Sequence, residues 1–597
     1  MRRALAVAAV LLAAAPAGAL ELHVQDLAGR PLSLVMVTVT PSAPAAVDRS
    51  DNGYAQPGVP QTADAWHTVF TDADGHAQLD LPSVPGTWRV RLRRPGWTDL
   101  TLPDVAGQAV QVAALRAEAD PAERAANKPA NVWAAAVHVG TPEQDKNFRM
   151  QCGFCHQQGA AFVRAEHSPD QWRATIARMI GYGSRLASAV QQLAPEKLQA
   201  GYADLRAHPE KLAEPLAWQD ALAHARIDQW PLGDAMSQMH DLLIHANGLV
   251  YVGDNIQDRL YEVDPATGRY TVYKLPRERD DVLGGLFAAR LASFPKHESF
   301  LALHSLAASA KDGHVFLTPS VQRRIVEFDP KTKQFTVHHL KDGLYPHTIR
   351  IDARDRVWFT LALSNQVGMI DRATGEQHFI DLPTRSLGEA FTVRLVPLLF
   401  KLAALGLPLS ALPVDERASG TPLPYGIDVT PDGVVWVARL HANDLVRIDP
   451  VTLEPTTIAF PATGPRRLRS DATGNVWITA FAESAILRYD PKTGQFQRFA
   501  MPTVPVGSDT PYALNVDRAR GIVWVTGTAS DTLNAFDIAT GRWSVFPLPQ
   551  RMTFTRDIEI SSGGAVFTAN GAFPAWHTEG AQPTLLRVTP PWAKGAP

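Results

Sequence analysis

Cysteine is nearly absent: the 597-residue chain holds two, Cys152 and Cys155. That excludes a disulfide-stapled scaffold, which needs several bridges in a short chain. Net charge is also nearly absent, with 57 Lys and Arg against 60 Asp and Glu for a formal charge of -3. With no long basic run either, no nucleic-acid partner is expected, because phosphate binding needs a concentrated positive surface. No apolar run reaches the length of a membrane-spanning helix. What remains is an ordinary globular composition, 45% hydrophobic and 20% charged, in a chain too long for a single core.

Arg2-Arg3 precede an apolar run from Ala4 to Ala15 and then Ala17-Gly18-Ala19, the pattern of an export signal cleaved after residues 1–19. The mature chain is therefore expected in the periplasm or otherwise exported, and soluble. In such a compartment the two cysteines could form a disulfide. They stand in Cys152-Gly153-Phe154-Cys155-His156, however, which joins two thiols to an adjacent imidazole. Covalent c-type haem attachment needs that set at that spacing. One haem c is expected, bound through thioethers at Cys152 and Cys155, with His156 as iron ligand.

From Leu20 to about Arg116 short strands alternate with turns. Val35, Val37 and Val39 alternate with Met36 and Thr38 as in a half-buried strand, and Thr71-Asp72-Ala73-Asp74-Gly75 is a turn. Through Asp26-Leu27-Ala28-Gly29-Arg30-Pro31 and the Asp74-Gly75 turn, residues 20–116 resemble the carboxypeptidase regulatory-like family. The resemblance implies a small immunoglobulin-like β-sandwich, a spacer or docking module with at most weak carbohydrate binding. Residues 117–228 change to helical spacing. Ser168, Pro169 and Asp170 open a helix, Trp172, Ile176, Met179 and Ile180 give it an apolar face, and a further helix is expected after Pro195. The run from Trp172 to Met179 and Gly181 resembles small cytochrome c domains, which implies Met179 as the sixth iron ligand. Met150, His167, Met236 and Met239 stay open as alternatives, and Met179 could equally be a core methionine.

Residues 229–597 contain an internal repeat. Tyr251, Phe316, Trp358, Trp436, Trp477, Trp524 and Phe567 recur at one position. Thirteen residues later come Asp264, Asp329, Asp371, Asp449, Asp490 and Asp537 in six of the seven units. Units of about forty residues with several short strands predict a seven-bladed β-propeller, the aromatic being core packing. Insertions interrupt it near 277–300 and 384–420. The second is apolar around Phe391, but Arg394, Pro397, Lys401 and Pro408 argue against a spanning helix, so a lid or docking surface is expected. The predicted fold is thus multidomain and mainly β: sandwich, small α-helical cytochrome c domain and propeller.

The innermost strands should place His240, Ser305, His347, Tyr425, Arg466, Tyr512 and Arg556 around the channel. That polar ring suits an anionic or hydroxylated small molecule, although polar, water-filled channels are common in this fold. His441 reads as a solvated loop histidine. Through Asp355-Arg356-Val357-Trp358-Phe359-Thr360, Gly433-Val434-Val435-Trp436-Val437 and Gly474-Asn475-Val476-Trp477-Ile478-Thr479, the repeat resembles the virginiamycin B lyase (streptogramin lyase) family. The resemblance implies the propeller fold and a possible divalent metal. The chain departs from the family's catalytic pattern, since Leu361, Arg439, Ala480 and Gly527, not carboxylates, follow the motif. Three functions stay open: electron transfer by haem c with a substrate or periplasmic redox partner at the channel, a metal-dependent lyase, and a non-catalytic binding module.

Overall fold

The computed structural model describes residues 18–48, 55–81, 86–107, 109–287, 299–405, 421–572 and 575–593. Nearly all of the export signal, and parts of both insertions (288–298 and 406–420), lie outside the described residues.

Seven sheets radiate around a channel. Their innermost strands begin at Met239, Leu303, Pro346, Pro424, Pro465, Leu514 and Glu559. Each innermost strand packs on the next, and the last packs on the first, so the ring is closed. The recurrent aromatics sit in the second strand of each blade and are buried, which confirms them as core. The aspartates stand at the end of the third strand or one residue past it. Asp264 Oδ1 accepts from the backbone N–H of Ala266 at 2.9 Å and Asp490 Oδ1 from that of Lys492 at 2.8 Å, fixing the turn into the fourth strand.

The seventh blade closes across the chain. Arg226–Pro231 pairs antiparallel with Thr584–Thr589, so the boundary expected at 228 falls inside a propeller strand. The same strand pairs on its other edge with Trp66–Phe70 of the N-terminal unit, and the sheet runs on through Met36–Pro41, Thr87–Arg93 and Leu100–Ala106. A second sheet of His76–Leu81, Gly18–Asp26 and Val110–Leu115 covers it, with Leu20, Leu22, Val37, Val39, Val90 and Leu92 between. The strand expected to be half-buried is therefore buried on both faces. Val37 and Val39 enter the sandwich core, while Met36 packs with Ile227 and Trp524 of the propeller. Buried polar contacts weld the seam: His67 Nδ1 donates to Asp228 Oδ1 at 2.7 Å, and Arg587 Nη2 donates to Asp228 Oδ2 at 2.6 Å.

Between sandwich and propeller lies a helical unit with helices α1 (Pro121–Ala126), α2 (Ala130–Ala135), α3 (Pro142–Cys152), α4 (Pro169–Gly181) and α5 (Ser188–Ala207). Ser168 caps α4 by accepting the N–H of Gln171, while the Gln171 side chain reaches back to the Ser168 N–H. Helix α5 begins at Ser188, well before Pro195, which sits inside it. Its face of Val190, Ala194, Leu198, Tyr202 and Leu205 is buried against Val132, Trp133, Trp172 and Ile176, and this packing overrides the proline's local cost. The second insertion forms helix α6 (Leu387–Ala404) beside the channel mouth, with Phe400 meeting Phe287 of the first insertion at 5.3 Å between centroids. Among the described residues no helix is long and apolar enough to cross a membrane.

Candidate functional site

Helix α3 delivers the cysteine motif to the propeller. Thr141 and Gln144 cap its first turn reciprocally, and near its end Arg149 Nη1 donates to the carbonyls of Ala482 at 3.0 Å and Gly507 at 2.8 Å. Just past the motif, the Gln157 amide donates to Asp531 Oδ1 at 2.7 Å and the Thr528 carbonyl at 2.8 Å. The loop between these anchors, residues 152–156, therefore lies on the channel mouth.

One cavity of about 1640 Å³ results, walled by the helical unit, the propeller mouth and α6. Cys152, Cys155, His156 and Met179 line it, and so do His240, His347, Tyr425, Tyr512 and Arg556. The two sets singled out in the sequence thus share a single space. His167 and Met236 also line it. Met150 and Met239 do not, being buried in apolar clusters with Tyr425 and Leu440 and with Trp230 and Leu242 respectively.

The cysteine motif fits a haem. Both thiols are free. Burial holds the His156 imidazole neutral, pushed down to about 4, the state an iron ligand requires. Phe148, Phe154, Phe162, Val163, Trp172, Ile176 and Leu198 supply apolar walls on the same cavity. His577, which no sequence pattern marked, stacks on Phe162 at 3.7 Å, its ring 6.0 Å from that of His156.

Phe154, between the two cysteines, is the contact with the ring. It stands edge-on to Tyr425 at 6.0 Å and covers the Arg466 guanidinium at 4.1 Å. Arg466 is fully buried and caged by Tyr512, Phe481 and Tyr425 as well, at 3.5, 4.3 and 4.9 Å. Sealed beneath these rings, it does not line the cavity as expected. Ser305 does not either. A bulge between Leu303 and Leu306 turns Ser305 toward blade three, where its hydroxyl accepts the Ile349 N–H at 3.4 Å, and His304 faces the cavity instead. The bulge recurs in blades one, three, four and five. His304 occupied the adjacent column of the repeat, so the signal was present one residue away. His441, expected to be solvated, is buried and faces the Gln151 amide at 3.3 Å.

The mouth is a connected polar network. Arg466 Nη2 donates to Tyr425 Oη at 3.0 Å, the Tyr425 hydroxyl meets Tyr512 Oη at 2.5 Å, and Tyr512 lies 3.3 Å from His240 Nε2. His240 Nδ1 donates to Asp241 Oδ1 at 2.9 Å. Arg556 bridges the two sets, donating through Nη1 to Tyr512 Oη at 3.0 Å and through Nη2 to the Cys155 carbonyl at 3.3 Å. Below, Arg467 grips Asp241 with bonds of 2.7 to 3.0 Å and plugs the channel. Burial opposes ionisation of Tyr512, but Arg466, Arg556 and Arg467 outweigh it and lower its pKa, whereas burial pushes Tyr425 well above its ordinary value in spite of Arg466. Burial holds His240 neutral, down to about 4.

Among the described residues the one group of three metal-ligating side chains that converge is Glu21, His23 and His76, in the sandwich and away from the propeller. Residues 409–573 match the Virginiamycin B lyase family, less than a third of the chain. No curated protein matches. Among solved structures, virginiamycin B lyase from Staphylococcus aureus is similar at 14% identity and a TM-score of 0.46, covering 61% of this chain and 99% of that one. A streptogramin B lyase is similar at 15% identity and a TM-score of 0.45, covering 61% and 97%. U3-55K follows at 9% and 0.43, covering 59% and 95%.

Proposed function

We propose that this chain is an exported haem c protein of electron transfer, an oxidoreductase by class, whose propeller mouth presents a small molecule to the haem site. In this reading residues 117–225 are a cytochrome c domain, residues 20–116 an immunoglobulin-like docking module, and a periplasmic redox partner completes the path. The observation that carries it is the shared cavity, with the Arg556 guanidinium joining Tyr512 to the Cys155 carbonyl. Cys152 and Cys155 would hold the porphyrin, and His156 would ligate the iron. Met179, which lines the same cavity, would supply a second, soft ligand. When bound, a haem c supplies reversible one-electron chemistry, and a thioether ligand raises its potential.

The ring residues do separate work. Phe154 and Arg466 fix the motif against the propeller, Arg556 and the tyrosines provide polar contacts, and α6 walls the space from water. The test is a pyridine haemochrome assay on protein exported from a cytochrome c-maturing host. One covalent haem per chain is expected, with a sulfur-to-iron charge-transfer band that Met179→Ala removes. Protein without covalent haem would reject this reading and leave the metal-dependent lyase or the binding module.

A further inference from the structure

The floor of the cavity carries more positive charge than its carboxylates balance. Arg467 is matched by Asp241. Arg466 and Arg556 find only neutral acceptors: Tyr425, Tyr512, His240 Nε2 and the carbonyls of Gly571 and Cys155. Arg466 Nε and Nη1 are buried with no acceptor at all. Asp557 stands 3.9 Å from Arg467, on the plug side. Uncompensated buried cations are costly, and an anion that meets Arg556, the one of the two that lines the cavity, relieves part of that cost.

The hydrogen-bond directions say which kind of anion. His240 Nδ1 is committed as a donor to Asp241, so its Nε2 is an acceptor, reached by Tyr512 Oη at 3.3 Å and, at 3.5 Å, by Arg556 Nη1. Tyr512 can donate only to that Nε2, because its oxygen already receives Arg556 Nη1 and the Tyr425 hydroxyl. Tyr425, Tyr512, His240 and Asp241 therefore form an ordered row along which one proton can move inward. Three of the four (Tyr425, Tyr512 and His240) line the cavity. The row has the logic of a hydroxyl activated by a base that a carboxylate orients.

We propose that the cavity floor is a hydroxyl-activating site: a phenol-type substrate rests its O–H on the Tyr425–Tyr512 pair, which relays one proton to His240 Nε2, while Arg556 faces the resulting oxyanion. The substrate O–H bond breaks and a new Tyr425 O–H forms, while the original Tyr425 O–H breaks and a new Tyr512 O–H forms. The Tyr512 O–H breaks and an Nε2–H forms, leaving an imidazolium beside Asp241 and an oxyanion beside a guanidinium. Burial, Arg556 and Arg467 make neutral His240 a weak base, and the Asp241 carboxylate bonded to its Nδ1 opposes them. A phenol suits the relay because its acidity matches that of the tyrosines, so the proton moves between like oxygens; an aliphatic alcohol is too weak an acid. Phe154, Phe287, Phe391, Phe400 and Tyr345 wall the space above with aromatic surface. The inference rests on the reading of the cavity as a small-molecule site and does not require the haem.

Fluorine NMR of para-fluorophenol with the full-length protein, any haem kept reduced, tests it. At neutral pH the bound resonance should move toward the phenolate position. Affinity should exceed that for para-fluoroanisole, which lacks the proton, by about tenfold or more. Tyr512→Phe and His240→Gln should each return the resonance to the neutral position with the haemochrome unchanged. A neutral resonance in the wild type, equal binding of the anisole, or a phenolate signal that survives both substitutions would overturn the proposal. Failure of both probes to bind would reject the small-molecule cavity as well, whereas a phenolate signal in haem-free protein would reject only the haem.

Discussion

Arg466 and Arg467 are consecutive in sequence and both fully buried, but they serve opposite ends of the channel. Arg467 points inward and is neutralised by two-pronged contact with Asp241 from the first blade, across the axis. Arg466 points to the mouth and has four aromatic faces and one phenol oxygen in place of a carboxylate. The plug is a closed electrostatic unit. The mouth is an open one, with charge and donors left over, and that surplus marks it as the place for a ligand and for the cysteine motif. A buried pair is weak evidence of net stability, yet breaking it exposes the remaining charge to the full desolvation cost.

The comparison is broken most forcibly at the plug. Arg467→Met strands Asp241 in the channel and should destabilise the chain by about 3–5 kcal/mol in urea unfolding. Adding Asp241→Leu should restore most of the loss, because both charges are then gone. A double variant no more stable than the single one would show that Arg467 acts through packing, not pairing.

At the mouth the expected effect is smaller. Phe154→Ala removes one wall of the Arg466 cage and should cost about 1–3 kcal/mol. It should also loosen the motif on the propeller, read as faster amide exchange in residues 150–157 with Arg467 and the plug undisturbed. Protection unchanged along α3 would mean that Arg149 and Gln157 alone hold the unit in place.

The propeller was legible because its repeat is chemical. Aspartates at the turn accept backbone N–H groups, and an aromatic is needed where blades pack, so both recur at fixed spacing. The candidate mouth was legible only to within one residue. The bulge that opens the inner strands decides whether Ser305 or His304 enters the cavity, and a bulge leaves no mark in a column of polar residues. The seam with the sandwich was hidden for a different reason. Trp66–Phe70 and Arg226–Pro231 are far apart in sequence, and nothing local in either strand announces its partner. The same holds for Arg556 and Cys155, which were each read as functional but not as neighbours. Phe154 fills a variable position of its motif, and its role as the cap on Arg466 belongs wholly to the assembled structure.

The smallest effect sharpens the contrast through pH. Asp241 and Asp557 share the plug with opposite shifts. Burial opposes ionisation of Asp241, but Arg467 overrides it and holds the carboxyl well below its ordinary value of 3.8. Burial and the neighbouring Asp241 charge push Asp557 up from 3.8 to about 7. Asp241 therefore contributes stability that is complete above about pH 4 and lost as pH falls further. Asp557 works the other way. Between about pH 4 and about pH 7 the folded chain keeps a proton that the unfolded chain has released, so stability declines as pH rises across that window. Asp557→Asn removes the ionisation and should flatten this decline, a difference on the order of 1 kcal/mol between urea midpoints taken near pH 5 and near pH 8. Equal declines in wild type and variant would place the titrating group elsewhere and leave Arg467 facing two ionised carboxylates, Asp241 and Asp557. A flattened decline would mean that the plug reaches neutrality by keeping Asp557 protonated, whereas the mouth keeps its surplus positive charge for what binds there.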